Sequence, residues 1–253
     1  MITSSLPILF QDDHLIAIDK PYGMSVAPSE SDKDVTVAEI ITEQLGIPLE
    51  RAGIIHRLDK DTSGVLLVAK SQEMLDLMQG LFKRREVHKT YTALVHAAVA
   101  EDKGVVRAPI ARNPQNREKF GVFEGGRDSE TVFEVDHRLT LPFAKIEEML
   151  GAMTKKEKNF YMKDALDYCL LKLHPKTGRT HQIRVHMKYI HHPIVGDEVY
   201  TGKKLYRFDN RWCTRQFLHA STIEFEHPIN RSQIKIDSPL AQDLVTALEF
   251  LTS

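Results

Sequence analysis

Residues 55–70 read Ile-His-Arg-Leu-Asp-Lys-Asp-Thr-Ser-Gly-Val-Leu-Leu-Val-Ala-Lys, a charged turn that gives way to an apolar, β-branched run. The run at 65–69 predicts a buried strand, with Gly64 as the punctuation before it. Asp59 then sits where a rigid element begins, the placement a reacting group needs. Arg57 and Lys60 flank it. Neighbouring positive charge favours the ionised carboxylate, so Asp59 is suited to act as a nucleophile rather than as an acid. Taken alone, an aspartate in a polar turn is more often a cap or a turn former. Asp61 diverges from Asp59 on an extended backbone, so the two do not form the paired-carboxylate site of a glycosidase.

Working outward, residues 8–10 and 15–19 read as a β-hairpin leading into the Pro21-Tyr22-Gly23 turn. Thr36 and Glu39 form a capping box before the helical stripe Val37, Ile40, Ile41 and Leu45, which Gly46 and Pro48 end. A second helix is expected from Ser71 to about Arg85, burying Met74, Leu75, Met78 and Leu81, and its basic end suits the helix dipole. Residues 87–95 alternate, which puts Lys89 and Tyr91 on one strand face. Further strands are expected at 131–135, 168–174, 223–225 and 234–236. Thr180 reads as the N-cap of a helix through Ile190, with Ile183, Met187 and Ile190 inside and His181, Arg184 and Lys188 on the other face. Ser238-Pro239 opens a last helix through Leu240, Leu244, Leu248 and Leu251. Without a regular βαβ repeat, this is an α+β fold with a mixed, largely antiparallel sheet flanked by helices. Residues 113–129 and 149–163 read as inserted loops, and the arginines of the first favour contact with phosphates.

The chain has 253 residues, 42% hydrophobic and 27% charged, which is ordinary for a soluble globular protein able to bury a sizeable core. No basic leader and no bilayer-length apolar stretch is present, so neither secretion nor a membrane partner is expected. Cys169 and Cys213 lack metal or redox spacing and read as reduced thiols of a cytoplasmic protein. The net charge of −1 hides an asymmetry. The first fifty residues carry nine acids and two bases, the remainder 26 acids and 32 bases. Basic clusters at 83–85 with His88 and Lys89, at Arg112, Arg117, Lys119 and Arg127, and at 203–215 are compatible with phosphate binding, although such clusters are more commonly solvated faces.

Six motifs in order resemble one family. They are Asp19-Lys20-Pro21-Tyr22-Gly23, the stretch at 56–70, residues 89–95 (Lys-Thr-Tyr-Thr-Ala-Leu-Val), residues 175–186 (Pro-Lys-Thr-Gly-Arg-Thr-His-Gln-Ile-Arg-Val-His), Gly196-Asp197, and Leu218-His219-Ala220 followed by His227-Pro228. Together they resemble the RluA-type pseudouridine synthases, which isomerise uridine in ribosomal and transfer RNA. The resemblance implies the mixed-sheet fold of that family and a reaction in which the N-glycosidic bond breaks, the uracil turns, and carbon 5 rejoins the sugar. It places the catalytic aspartate at Asp59, a base-stacking and proton-relaying tyrosine at Tyr91, and at Arg184 the arginine that pairs with the catalytic aspartate. Arg57 matches the arginine that enters the RNA stack when the uridine flips out. Lys89, Arg179, His181, Lys83, Arg84 and Arg85 complete the candidate RNA contacts.

The resemblance implies no cofactor, and the spacing of the twelve histidines argues against a metal. His181 and His186 are five apart, roughly 140° around a helix, whereas zinc-binding helix pairs use a spacing of four. Residues 1–7 leave no room for the small α-L RNA-binding module that many relatives carry, so a single catalytic domain over 1–253, acting as a monomer, is expected. Structured RNA is the expected partner, and DNA is not. The segment 108–123 looks closer to the large-subunit ribosomal branch of the family than to the transfer-RNA branch. A hydrolytic N-glycosidase, which would release free uracil, and a non-catalytic RNA-binding domain are the competing readings.

Overall fold

The apolar run after the charged turn is a strand buried along its whole length, residues Ser63–Ala69. Burying each of its Val and Leu side chains contributes roughly 1.5–3 kcal/mol. The structure, a computed structural model, describes residues 6–28, 34–47, 49–117, 119–151, 154–164 and 167–252. In chain order these form β1 (Ile8–Gln11), β2 (Leu15–Lys20), α1 (Val37–Leu45), a 3-10 turn (Glu50–Gly53), β3 (Ser63–Ala69), α2 (Gln72–Arg84), β4 (His88–His96), β5 (Lys103–Arg107) and β6 (Ile110–Arg112). There follow β7 (Phe120–Val122), β8 (Glu130–Thr140), α3 (Phe143–Leu150), α4 (Lys155–Asp164), β9 (Asp167–Pro175), α5 (Gln182–Tyr189), α6 (Lys203–Asp209), β10 (Leu218–Glu226), β11 (Gln233–Asp237) and α7 (Gln242–Thr252). This is an α+β fold. No helix among the described residues is long and apolar enough to cross a membrane.

The chain divides into two compact units, one of residues up to Tyr91 with His219–Ala241, the other of Thr92–Leu218 with the residues from Gln242 on. In the first unit β2 pairs antiparallel with β1 and with β3, in register from Leu15 opposite Ala69 to Lys20 opposite Gly64. β10 runs parallel to β3 at His219 and Ala220 and antiparallel to β11 from Thr222 to Glu226. Gly64 lies inside β3 rather than at its start. Its φ is +113°, and a Cβ there would meet the Ala220 carbonyl oxygen at 2.2 Å, so close strand approach demands glycine.

Helices α1 and α2 cover this unit with their apolar faces, although Leu45 of the predicted α1 stripe is exposed. Thr36 Oγ1 accepts from Glu39 N, and the Glu39 carboxylate accepts from Thr36 N at 2.8 Å, a cap of about 1 kcal/mol. Gly46, at φ 59°, closes α1, and Pro48 lies outside the described residues. Ser71 caps α2, which buries Met74, Leu75, Met78 and Leu81.

In the second unit the strand order is β4-β9-β8-β5, antiparallel at β5/β8 and β8/β9. Four expectations are corrected here. Residues 113–129 are not a plain loop, because β7 returns along β6 as a hairpin. Within 149–163 lies most of α4, whose Lys158 meets Glu147 of α3 at 2.6 Å. The last helix begins at Gln242, not at Ser238. The cap of α5 is His181 in the left-handed region (φ 55°), not Thr180, and from Gln182 to Met187 both faces of that helix are buried, Arg184 included, while Lys188 and Tyr189 are exposed. The driving feature is Gln182. It accepts from Thr177 Oγ1 and Arg179 N and donates to Glu130 O and Thr131 Oγ1, so the loop is fixed by a buried amide and not by a hydroxyl cap.

Candidate active site

Asp59 is half-buried on the turn before β3, whose Thr62 N–H returns to the Asp59 carbonyl at 3.1 Å. The turn is pinned from inside by Lys20, a fully buried lysine at the end of β2. Its ammonium donates to the carbonyls of Pro21, Lys60 and Thr62 at 2.7, 2.9 and 2.9 Å. Three main-chain acceptors match its three donors, which offsets the desolvation of a buried cation. Below it a polar chain runs from Ser63 Oγ to His219 Nδ1, from His219 Nε2 to Ser238 O, and from Ser238 Oγ to Asp19. Because Nε2 faces a carbonyl, it carries a proton.

Lys60 reaches Asp34 at 3.2 Å, and Asp61 is exposed. Arg57 is exposed and has no ion-pair partner among the described residues. Tyr91 packs half-buried on the core around Ile16, Ile18 and Leu66. Burial, and then the Asp59 carboxylate, push its phenol above the ordinary tyrosine range. Tyr91 therefore stays protonated at neutral pH, able to donate a proton and unable to act as a base. Lys89 shares its strand face and lies 5.8 Å over the Phe82 ring. Burial brings its ammonium down to about 8.

His56 stacks on Phe82 at 5.1 Å, and its Nε2 accepts the Leu67 N–H of β3. Burial, then the Lys89 charge, lower it to about 3 against the Arg57 backbone bond. This has a consequence for stability. Between pH 3 and about 6.5 the unfolded chain binds a proton on His56 that the folded chain refuses, so stability falls as the pH drops through that window. His56→Gln, which can still accept from Leu67, should flatten this acid limb in urea titrations. An unchanged limb would place the sensitivity elsewhere.

In the second unit Arg184 is buried and held by Asp197, Nε to Oδ2 at 2.7 Å and Nη2 to Oδ1 at 3.0 Å. Asp197 also accepts the amides of Val199 and Tyr200. Gly196 makes this possible, since a Cβ there would meet Arg215 O at 2.1 Å. The Arg184 guanidinium lies 5.1 Å over the Tyr200 ring, and Tyr200 Oη bonds His181 Nδ1 and Phe120 N. The β6–β7 hairpin is thereby docked on α5, with Arg112 over the Phe120 ring. His186 lies in the core, bonded to Thr131 and the Ala108 carbonyl. Arg179 is half-buried, its guanidinium near the Asp128 carbonyl.

A family model described as RNA pseudouridylate synthase matches residues 14–189. The chain belongs to this family. It is therefore a pseudouridine synthase, an RNA-modifying isomerase. Ribosomal large subunit pseudouridine synthase D of Xanthomonas campestris is 36% identical over 249 residues, covering 94% of this chain and 67% of that one. An uncharacterized RNA pseudouridine synthase of Bacillus subtilis is 32% identical, over 97% of this chain and 73% of its own. The human RNA pseudouridylate synthase domain containing 1 superposes with a TM-score of 0.71 at 22% identity, over 100% of this chain and 98% of that one, a likeness of fold.

For this synthase the structure gathers Arg57, Asp59, Lys89 and Tyr91 in the first unit and Arg179, His181 and Arg184 in the second. Lys83, Arg84 and Arg85 stand at the end of α2, where Arg84 already makes a fork to Glu86 at 2.9 Å. Sequence reasoning missed the anchors Lys20 and Asp197. Both stand in motifs that carry the family resemblance, which was the available signal.

Proposed function

We propose that this synthase isomerises specific uridines of large-subunit ribosomal RNA, with Asp59 as its nucleophile. What supports the role of Asp59 is its place on a turn fixed by a buried lysine, with its charge felt by a tyrosine that holds its proton. In this reading the Asp59 carboxylate bonds to carbon 1′ of the ribose as the N-glycosidic bond breaks, uracil leaves with the electron pair on N1 and turns against the Tyr91 ring, carbon 5 then displaces the carboxylate from carbon 1′, and the carbon 5 proton is lost as N1 takes one up. Arg184 enters the proposal through the motif it occupies. Residues 1–253 form one catalytic domain in this reading.

Arg57, Lys89, Arg179, His181, Lys83, Arg84 and Arg85 are proposed RNA contacts. Since Glu86 already balances Arg84, neutralising Lys83 and Arg85 should flatten the salt dependence of binding more than neutralising Arg84. The ribosomal target is supported by the likeness to the ribosomal large subunit pseudouridine synthase D of Xanthomonas campestris. Mapping pseudouridines in total RNA from cells with and without the gene tests it. The expected result is one or more lost sites in large-subunit RNA. Loss confined to transfer RNA would move the target to the other branch, and release of free uracil would replace isomerisation by hydrolysis.

A further inference from the structure

A cleft of about 550 Å³ opens in the first unit beside the Asp59 turn. Arg57, Leu58 and Lys60 line it, but Asp59 does not, so it is adjacent to the reacting carboxylate and separate from it. Its volume falls in the range of small-ligand sites. Val26, Pro28, Ile54 and Leu75 give it apolar walls, and Arg51 and Glu50 bring opposite charges to it. Neither Arg51 nor Arg57 has an ion-pair partner among the described residues.

The backbone that presents Arg51 is unusual. Arg51 and Ala52 both sit at φ 52°, ψ 33°, and Gly53 follows at φ 72°. Three successive left-handed residues, two of them with side chains, persist only where the surroundings impose them. Here β3 imposes them. Ile54 bridges Val68, and a Cβ at Gly53 would meet the Ala69 carbonyl at 2.2 Å. The same strand that carries the Asp59 turn thus fixes Arg51 at the cleft.

We propose that this cleft is a second nucleotide subsite, taking the base of a residue neighbouring the target uridine and holding its phosphate on Arg51 and Arg57. The apolar walls suit a base face, and the Glu50 carboxylate suits a base with an exocyclic amino group. The proposal rests on the function proposed above and makes Arg51 a specificity residue rather than a catalytic one.

Arg51→Asn tests it, because asparagine tolerates the left-handed backbone while removing the charge. With a ribosomal RNA stem-loop in which the protein forms pseudouridine, the variant should raise KM and Kd roughly tenfold, change kcat less than about twofold, and reduce the salt slope by about one. Arg51→Lys should recover part of the affinity. Removing one neighbouring base, as an abasic residue, should weaken binding to the wild type about tenfold and to Arg51→Asn far less. Wild-type KM and salt slope in Arg51→Asn, or equal losses on intact and abasic RNA in both proteins, would overturn the subsite. A wild type that forms pseudouridine in no ribosomal RNA stem-loop it binds would sink the proposed function, and the binding comparison on such a stem-loop would still decide the subsite.

Discussion

Asp59→Ala is expected to lower pseudouridine formation by about four orders of magnitude or more while leaving RNA affinity within about threefold. The asymmetry follows from where the side chain acts. A nucleophile contributes chiefly in the transition state, whereas affinity comes from the cations that meet phosphates. The structure also gives a reason for the variant to fold. The Asp59 turn is pinned through main-chain carbonyls by Lys20, and the Thr62 N–H bonds the Asp59 carbonyl. Asp59→Asn keeps the shape of the side chain and removes only its charge, so it should be as inactive. Tyr91 should remain protonated in both variants, because burial is the larger cause of its raised pKa and Asp59 the smaller. Substantial single-turnover activity in a folded Asp59→Ala protein would refute the nucleophile, whatever the affinity.

How much of this was legible in the sequence depends on how local each cause is. The capping box at Thr36 and Glu39, the apolar spacing of α2 and the run of β3 are short-range signals, and each element appears where it was expected. Lys20 illustrates the opposite case. A lysine at a strand end reads as solvated, and only the carbonyls of Lys60 and Thr62, some forty residues away, make it a buried anchor. Thr180 had the right chemistry for a cap, yet the tertiary bonds of Gln182 set the loop and leave His181 in the left-handed region. The β6–β7 hairpin was missed because its strands are three residues each, and what holds it is Tyr200, some eighty residues from Phe120. Gly64 was recognised as special for the wrong reason, since its requirement comes from Ala220 across the sheet.

The largest effect on stability is expected at Asp197, where Asp197→Ala should cost about 3–5 kcal/mol. The carboxylate is fully buried, its Arg184 partner is 8% exposed, and removal takes away both charged bonds to that guanidinium together with the acceptor of the Val199 and Tyr200 amides. Trp212 is the only tryptophan and lies in this same unit, packed 5.5 Å from Phe250, so its fluorescence in a urea titration reports the unit concerned. A loss below about 1 kcal/mol would mean that the pair is not the anchor its geometry describes. The double variant Arg184→Met with Asp197→Leu separates stability from chemistry. Replacing both members of a buried ion pair by apolar residues is often neutral, so this protein should regain much of the stability lost in Asp197→Ala. If Arg184 is catalytic, the regained fold should still form no pseudouridine. That combination would show a pair retained for the reaction at no net gain in stability, and an active double variant would remove Arg184 from the catalytic set.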